Sequence, residues 1–150
     1  MKARSQMDSK SVVGTWKLIS AKADSTKGDT IYPYGENPFG MLMYETKGYM
    51  SVLIMRIGRS KFDSGDPFAG TPDEIKEAFE GFDAYCGTYE VNGEKETITH
   101  HIRGCRFPNW EGTDQIRYFE LSDNRLILKT PPIPSLETEW VVSLTWELKT

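Results

Sequence analysis

The chain has two histidines, and they are adjacent: His100 and His101. Imidazole is the side chain whose unperturbed pKa lies nearest neutrality, so this pair is the first place to look for proton chemistry. Successive residues of a strand point to opposite faces, so the pair cannot chelate one ion. The turn cue Asn92-Gly93 suggests which histidine goes inside. If Val91 faces Glu96, then Tyr89 lies opposite Ile98, Gly87 opposite His100 and Tyr85 opposite Ile102. Opposed residues share a face. One face then carries Tyr85, Gly87, Tyr89, Val91, Ile98, His100 and Ile102. The other carries Cys86, Thr88, Glu90, Thr97, Thr99, His101 and Arg103, which suits water. His100 is expected to point inward beside a glycine that leaves space, and His101 outward. An enclosed histidine is a candidate general acid/base. It is equally a core histidine held by hydrogen bonds, or one that orients a ligand without turnover.

The next segment adds polar groups. Phe119 and Leu121 read as core, which puts Gln115 and Arg117 on the same inward face. Arg117 is expected near His100. A buried guanidinium needs an acceptor: a ligand carboxylate, phenolate or enolate, an internal acid, or stacking on Trp16. The candidate catalytic set is His100, Arg117 and Tyr89, the last two stabilising an oxyanion. Gln115, Trp110, Tyr85, Phe119, Met55 and Trp140 are the candidate ligand contacts, with Trp110 in a rim connector beside Phe107 and Pro108. One inward histidine does not make a zinc site, and no glycine-rich phosphate loop is present. No metal and no cofactor are expected. Cys86 and Cys105 are out of line by about four residues, or ~13 Å at strand rise, so a disulfide is not expected.

These side chains need strands to hold them. Strands are predicted at Val12 to Ala23, with Trp16, Leu18 and Ser20 on one face, and at Met41 to Glu45 and Tyr49 to Arg56. Further strands are predicted at Tyr85 to Val91, Glu96 to Arg103, Thr113 to Leu121, Arg125 to Thr130 and Glu139 to Leu148. In the last, Trp140, Val142, Leu144, Trp146 and Leu148 alternate with polar residues, so one face is core. Both faces of Tyr49 to Arg56 are apolar, and the pattern does not choose between them. Gly28 to Gly40 and Ile57 to Gly70 read as loops. Thr71-Pro72-Asp73-Glu74 opens a helix as a capping box. Ile75, Ala78, Phe79 and Phe82 give the helix an apolar face. It is expected to plug the barrel near one end, with a lid as the alternative.

Eight mostly antiparallel strands and one helix imply an all-β, up-and-down barrel that removes its edges by closing. Eight strands leave room for one small ligand. A length of 150 residues suits one domain, expected over residues 11–150 behind a flexible segment at residues 1–10. Apolar residues at 38% and charged residues at 27% describe a globular chain, and a net charge of −4 without a basic stripe argues against nucleic acid. No apolar run approaches the ~20 residues of a membrane helix, and Met1 to Lys10 has no apolar leader core. A cytoplasmic setting without membrane attachment is expected; a homodimer is compatible with the chain.

Several stretches carry a family likeness: Gly14-Thr15-Trp16-Lys17-Leu18, YPYGENPFG at Tyr32 to Gly40, GYMSVLIMR at Gly48 to Arg56 and TPDEIKEAFEG at Thr71 to Gly81. GTYEV at Gly87 to Val91, THHI at Thr99 to Ile102 and FPNWEGTDQ at Phe107 to Gln115 complete the set. The ordered set resembles the bacterial and fungal lipocalin-like domain family from Val13 to Leu148. The resemblance implies a calycin-type barrel around a small-molecule cavity. Some similar barrels beside natural-product pathways act as cyclases, isomerases or dehydratases, and others only bind. Secreted lipocalins often pack a basic side chain of the last strand on the opening tryptophan. The last strand here has no arginine, so Arg117 is a candidate for that contact. The expected function is binding of a small, largely apolar molecule, a natural-product intermediate for instance. The alternative is a cofactor-free cyclase, isomerase or dehydratase with His100 as general acid/base.

Overall fold

A computed structural model describes residues 11–150; the flexible segment expected at residues 1–10 lies outside the described residues. Eight long strands close into an antiparallel barrel with one short helix. In chain order they are β1 (Gly14–Ser25), β3 (Phe39–Tyr44), β4 (Tyr49–Met55), β5 (Phe82–Asn92), β6 (Thr97–Cys105), β7 (Asp114–Ser122), β8 (Arg125–Lys129) and β10 (Thr138–Leu148). Neighbours in sequence pair with each other, and β10 closes on β1 from Trp16↔Leu148 to Ser25↔Trp140. Two short strands escape the sequence pattern. β2 (Thr30–Ile31) pairs with β1, and β9 (Ile133–Ser135) pairs with β10. Both are too short for alternation to show, and β9 contains Pro134, which an edge position tolerates.

Strand β1 changes face part-way. The register jumps from Leu18↔Trp146 to Ser20↔Thr145, so Ile19 is an extra residue, a β-bulge. Trp16 and Leu18 point inward before it; Ala21, Ala23 and Ser25 do so after it. Ser20 therefore leaves the inward face on which unbroken alternation would place it. On β4 the open choice of face resolves to Met50, Val52 and Ile54 inward. Tyr49, Ser51, Leu53 and Met55 face the other way, with Tyr49 60% exposed.

The hairpin β5–β6 is offset by two residues from the expected register. Val91 pairs with Ile98 and Tyr89 with His100, not with Ile98. The turn holds four residues, Gly93 to Glu96, one position further along than the expected turn of residues 92–95. Asn92 Oδ1 accepts the Lys95 amide at 3.0 Å, and Glu96 takes a left-handed φ of 55°. A two-residue slip preserves faces, so His100 points inward and His101 outward as the alternation requires. Gly87, however, lies opposite Ile102. It does not make room for His100. A second bulge there skips Arg103, so Cys86 pairs with Gly104 beside Cys105. The new register reduces the four-residue offset between the cysteines to one, and both are free thiols.

The helix α1 (Pro72–Glu80) starts on the expected capping box, with Thr71 Oγ1 accepting the Glu74 amide and Glu74 accepting the Thr71 amide. Its place differs from expectation. No helix residue is buried, Ile75 and Phe79 are 52% and 44% exposed, and none lines the interior cavity. It is neither plug nor lid. The preceding loop wraps it: Ser60 and Asp63 amides donate to Glu77 and Glu74, and Arg59 donates to the Ala78 carbonyl.

Candidate functional site

The barrel is closed at the end that carries the β3–β4, β5–β6 and β7–β8 turns. Trp16, Tyr44, Tyr89 and Phe119 fill it, and Leu42 lies between them and the cavity, whose wall it joins. Trp16 donates its indole N–H to the Val12 carbonyl at 2.9 Å. Tyr89 donates its hydroxyl to the Glu45 carbonyl at 2.9 Å and packs 4.6 Å from the Tyr44 ring. Toward the opposite end lies a cavity of about 230 Å³. Val52, Ile54, Leu128, Val142, Leu144 and Trp146 form its apolar wall. Pro33, Tyr34, Phe107, Trp110 and Ile133 come from the connectors at its mouth, and Asp83, Tyr85, His100, Arg106, Arg117 and Thr130 make its polar part.

His100 sits between two tyrosines. Its Nε2 is 2.6 Å from the Tyr44 hydroxyl and its Nδ1 is 2.8 Å from the Tyr85 hydroxyl. Burial, then the Arg117 charge, then His101 push its pKa down to about 3, so the ring is neutral at pH 7 and carries one proton. Hydrogen-bond accounting assigns that proton. The Tyr44 hydroxyl is buried away from the cavity, and among the described residues its one acceptor is Nε2. Tyr44 therefore donates to Nε2, the proton resides on Nδ1, and Nδ1–H donates to the Tyr85 oxygen. Tyr85 lines the cavity and keeps its own O–H available. Desolvation raises the pKa of both phenols, that of Tyr44 well above the ordinary tyrosine value, while the Arg117 charge opposes this. Both stay protonated.

Arg117 is 7% exposed, and its Nη1 donates to the Ile116 carbonyl at 2.9 Å. Its guanidinium lies 5.8 Å from the Trp110 ring centroid and draws the Tyr85 pKa back by charge and by a hydrogen bond. Arg106 pairs with Asp83 at 3.5 Å, stacks on Phe79 and donates to the Phe79 carbonyl at the helix end. Burial raises the Asp83 pKa against the pull of Arg106. Tyr34 is pushed up to about 12 by burial first and the Asp83 charge second.

Of the residues singled out from the sequence, His100, Arg117, Tyr85 and Trp110 line the cavity. Tyr89, Gln115, Phe119, Met55 and Trp140 do not. Tyr89 is inward but belongs to the closed end. Phe119 is 3% exposed core. Gln115, paired with His100, turns to Thr113 Oγ1 at 3.0 Å. Met55 is on the outward face of β4, and Trp140 donates to the Ser135 carbonyl. Arg117 stacks on Trp110, not on Trp16. Tyr44, Asp83, Arg106 and Tyr34 were not singled out. Tyr44 was detectable: it falls on the inward alternation of β3 with Leu42. The other three depend on loop paths and on the bulged end of β5, which leave no periodic trace.

The outward His101 bridges Asp114 at 2.7 Å and Glu90 at 3.0 Å, and these bonds, Asp114 first, raise its pKa. A raised folded pKa contributes stability below the ordinary histidine value, and that contribution is lost as pH rises through the folded value. The imidazole NMR titration of His101 is thus expected to have a midpoint above 6.5, falling toward that value in Asp114→Asn. A midpoint at or below the free value contradicts the bridge.

The sequence profile of the lipocalin-like domain matches residues 13–148. A curated protein described as a 4'-hydroxy-3'-methoxypropiophenone carrier protein, from Aspergillus oryzae, is 29% identical over 104 residues. That stretch covers 65% of this chain and 94% of the relative.

Proposed function

Because this chain belongs to the lipocalin-like domain family, we propose that it binds a small, mostly apolar, single-ring molecule in the barrel and carries or shields it. The observation that carries this reading is the cavity of about 230 Å³ with a mostly aliphatic and aromatic wall. An apolar cavity of about 150 Å³ admits benzene, so this one suits a substituted ring and little more. The relative's named cargo, an aryl ketone, has that size and polarity, which supports a natural-product-like ligand.

The alternative, cofactor-free cyclisation, isomerisation or dehydration with His100 as general acid/base, has a specific difficulty. Both His100 nitrogens are engaged by tyrosines. A proton relayed from Tyr85 to a substrate would have to be replaced through His100 from Tyr44, leaving a phenolate at a fully enclosed site. That is the most costly place for a charge. The triad holds a donor in position better than it moves a proton.

The cavity reading is tested by filling it. Val142→Trp is expected to weaken binding of propiophenone, followed by calorimetry, at least about tenfold, since a methylene-scale clash already costs ~1–3 kcal/mol. Circular dichroism should remain native. Undiminished affinity in a folded variant would place the ligand elsewhere.

A further inference from the structure

We propose that the ligand is an oxygen acid bound as its anion: a ring with an acidic hydroxyl whose oxyanion lies against Tyr85 and Arg117. The inference rests on the cavity reading above and adds its chemistry. Charge balance carries it. Among the described residues, the cavity wall holds one carboxylate, Asp83, and two guanidinium groups, Arg106 and Arg117. Asp83 is the ion-pair partner of Arg106. Among the described residues, Arg117 has no ion pair, although it is 7% exposed. A buried charge needs a countercharge, and the ligand space is where one can enter.

Hydrogen-bond accounting points the same way. Tyr44 and Nδ1–H of His100 leave the Tyr85 O–H as a donor with no acceptor among the described residues. Arg117 supplies only donors. Donors thus dominate this side of the site, and an anionic oxygen accepts strongly from such groups. The titratable and charged groups that act on Arg117 or through it are Asp83 and Tyr85 from β5, His100 from β6, Tyr44 from β3 and, by way of Asp83, Arg106. Of these only Asp83 is an acid of ordinary strength, and it is already paired.

The test uses 4-nitrophenol, whose acid and anion absorb at different wavelengths, and its methyl ether 4-nitroanisole, which has the same ring and cannot ionise. Absorbance reads the probe's own protonation, so titration of the protein does not mimic the signal. Bound 4-nitrophenol is expected to have its pKa lowered by about one unit or more, meaning the anion binds about tenfold tighter than the acid. Arg117→Gln should abolish the shift while 4-nitroanisole still binds, and Arg117→Lys should restore part of it. Tyr85→Phe should reduce it. A 4-nitrobenzoate arm separates carboxylate from phenolate recognition: tighter binding of the benzoate overturns the hydroxyl assignment. If the phenol and the ether bind equally with no shift, the anion inference fails and the cavity reading stands. If neither binds, the cavity reading fails and takes the inference with it.

Discussion

Replacing His100 by alanine is expected to lower stability by about 2–4 kcal/mol, the sum of a partly collapsed cavity and an orphaned hydroxyl. For a domain of this size that is a fall in Tm of about 5–15 °C. The physical cause is Tyr44. Its hydroxyl is enclosed, and Nε2 at 2.6 Å is its acceptor; without the imidazole it has no acceptor among the described residues. Tyr44→Phe makes the reciprocal error, leaving the Nε2 lone pair dry, at about 1–3 kcal/mol. The double variant should cost less than the sum of the two by about 1–2 kcal/mol, because the interaction is lost only once. Additive losses in chemical denaturation would mean that the two rings are not bonded. Nitrogen NMR provides a sharper check of the proton's position. His100 should be the Nδ1–H tautomer with no protonation at mild acid pH; an Nε2–H ring would reverse the direction of both hydrogen bonds and remove the free Tyr85 O–H.

Gly87→Ala is expected to destabilise the barrel by roughly 3 kcal/mol or more, in the tail of single-substitution effects that reflects forced backbone movement. A Cβ at Gly87 would lie 1.9 Å from the His101 carbonyl oxygen, 3.0 Å from its carbon and 3.2 Å from the Arg103 amide nitrogen. These are backbone atoms of the paired strand and cannot rotate away. The clash arises at the bulge, where β6 crowds β5 as Arg103 is skipped. Gly104, on the other side of the same bulge, is the control. A Cβ there meets only Cys86 Sγ at 3.7 Å, an ordinary contact. Gly104→Ala should therefore stay within about 0.5–1 kcal/mol of the parent, the range for unstrained strand glycines. Equal losses at the two positions would show that the bulge is not where the register puts it. The same displacement should shift His101 relative to Asp114 and Glu90, so a loss at Gly87 should be accompanied by a lower His101 titration midpoint.

Alternation and turn residues made most of the barrel legible. The eight long strands, the capping box at Thr71, the inward His100 and the outward His101 all follow from local rules with period two or 3.6. These rules survive a register error of two residues because a two-residue slip returns every side chain to its face. For that reason the β5–β6 hairpin could be misaligned and still put His100 inside. What such rules cannot count is a single inserted residue. Ile19 in β1 and Arg103 in β6 each break the period, which moved Ser20 off the inward face and changed the role of Gly87 from leaving space to permitting close approach.

Depth along the barrel axis is likewise absent from a face pattern. Tyr89 and Tyr85 share a face on one strand, yet the first bonds Glu45 in the closed end and the second lines the cavity. Along unbroken strands with one apolar face, the sequence by itself determined which side chains enter the barrel, since that depends on neighbours one and two residues away; the face of β4 and the residues beyond the bulge in β1 were left to the structure. Only the tertiary structure decided which of them meet: His100 held between Tyr44 and Tyr85, Arg106 matched to Asp83, Arg117 left facing the cavity. Those meetings join positions as far as 56 residues apart, and strand stagger, bulges and connector paths set them together.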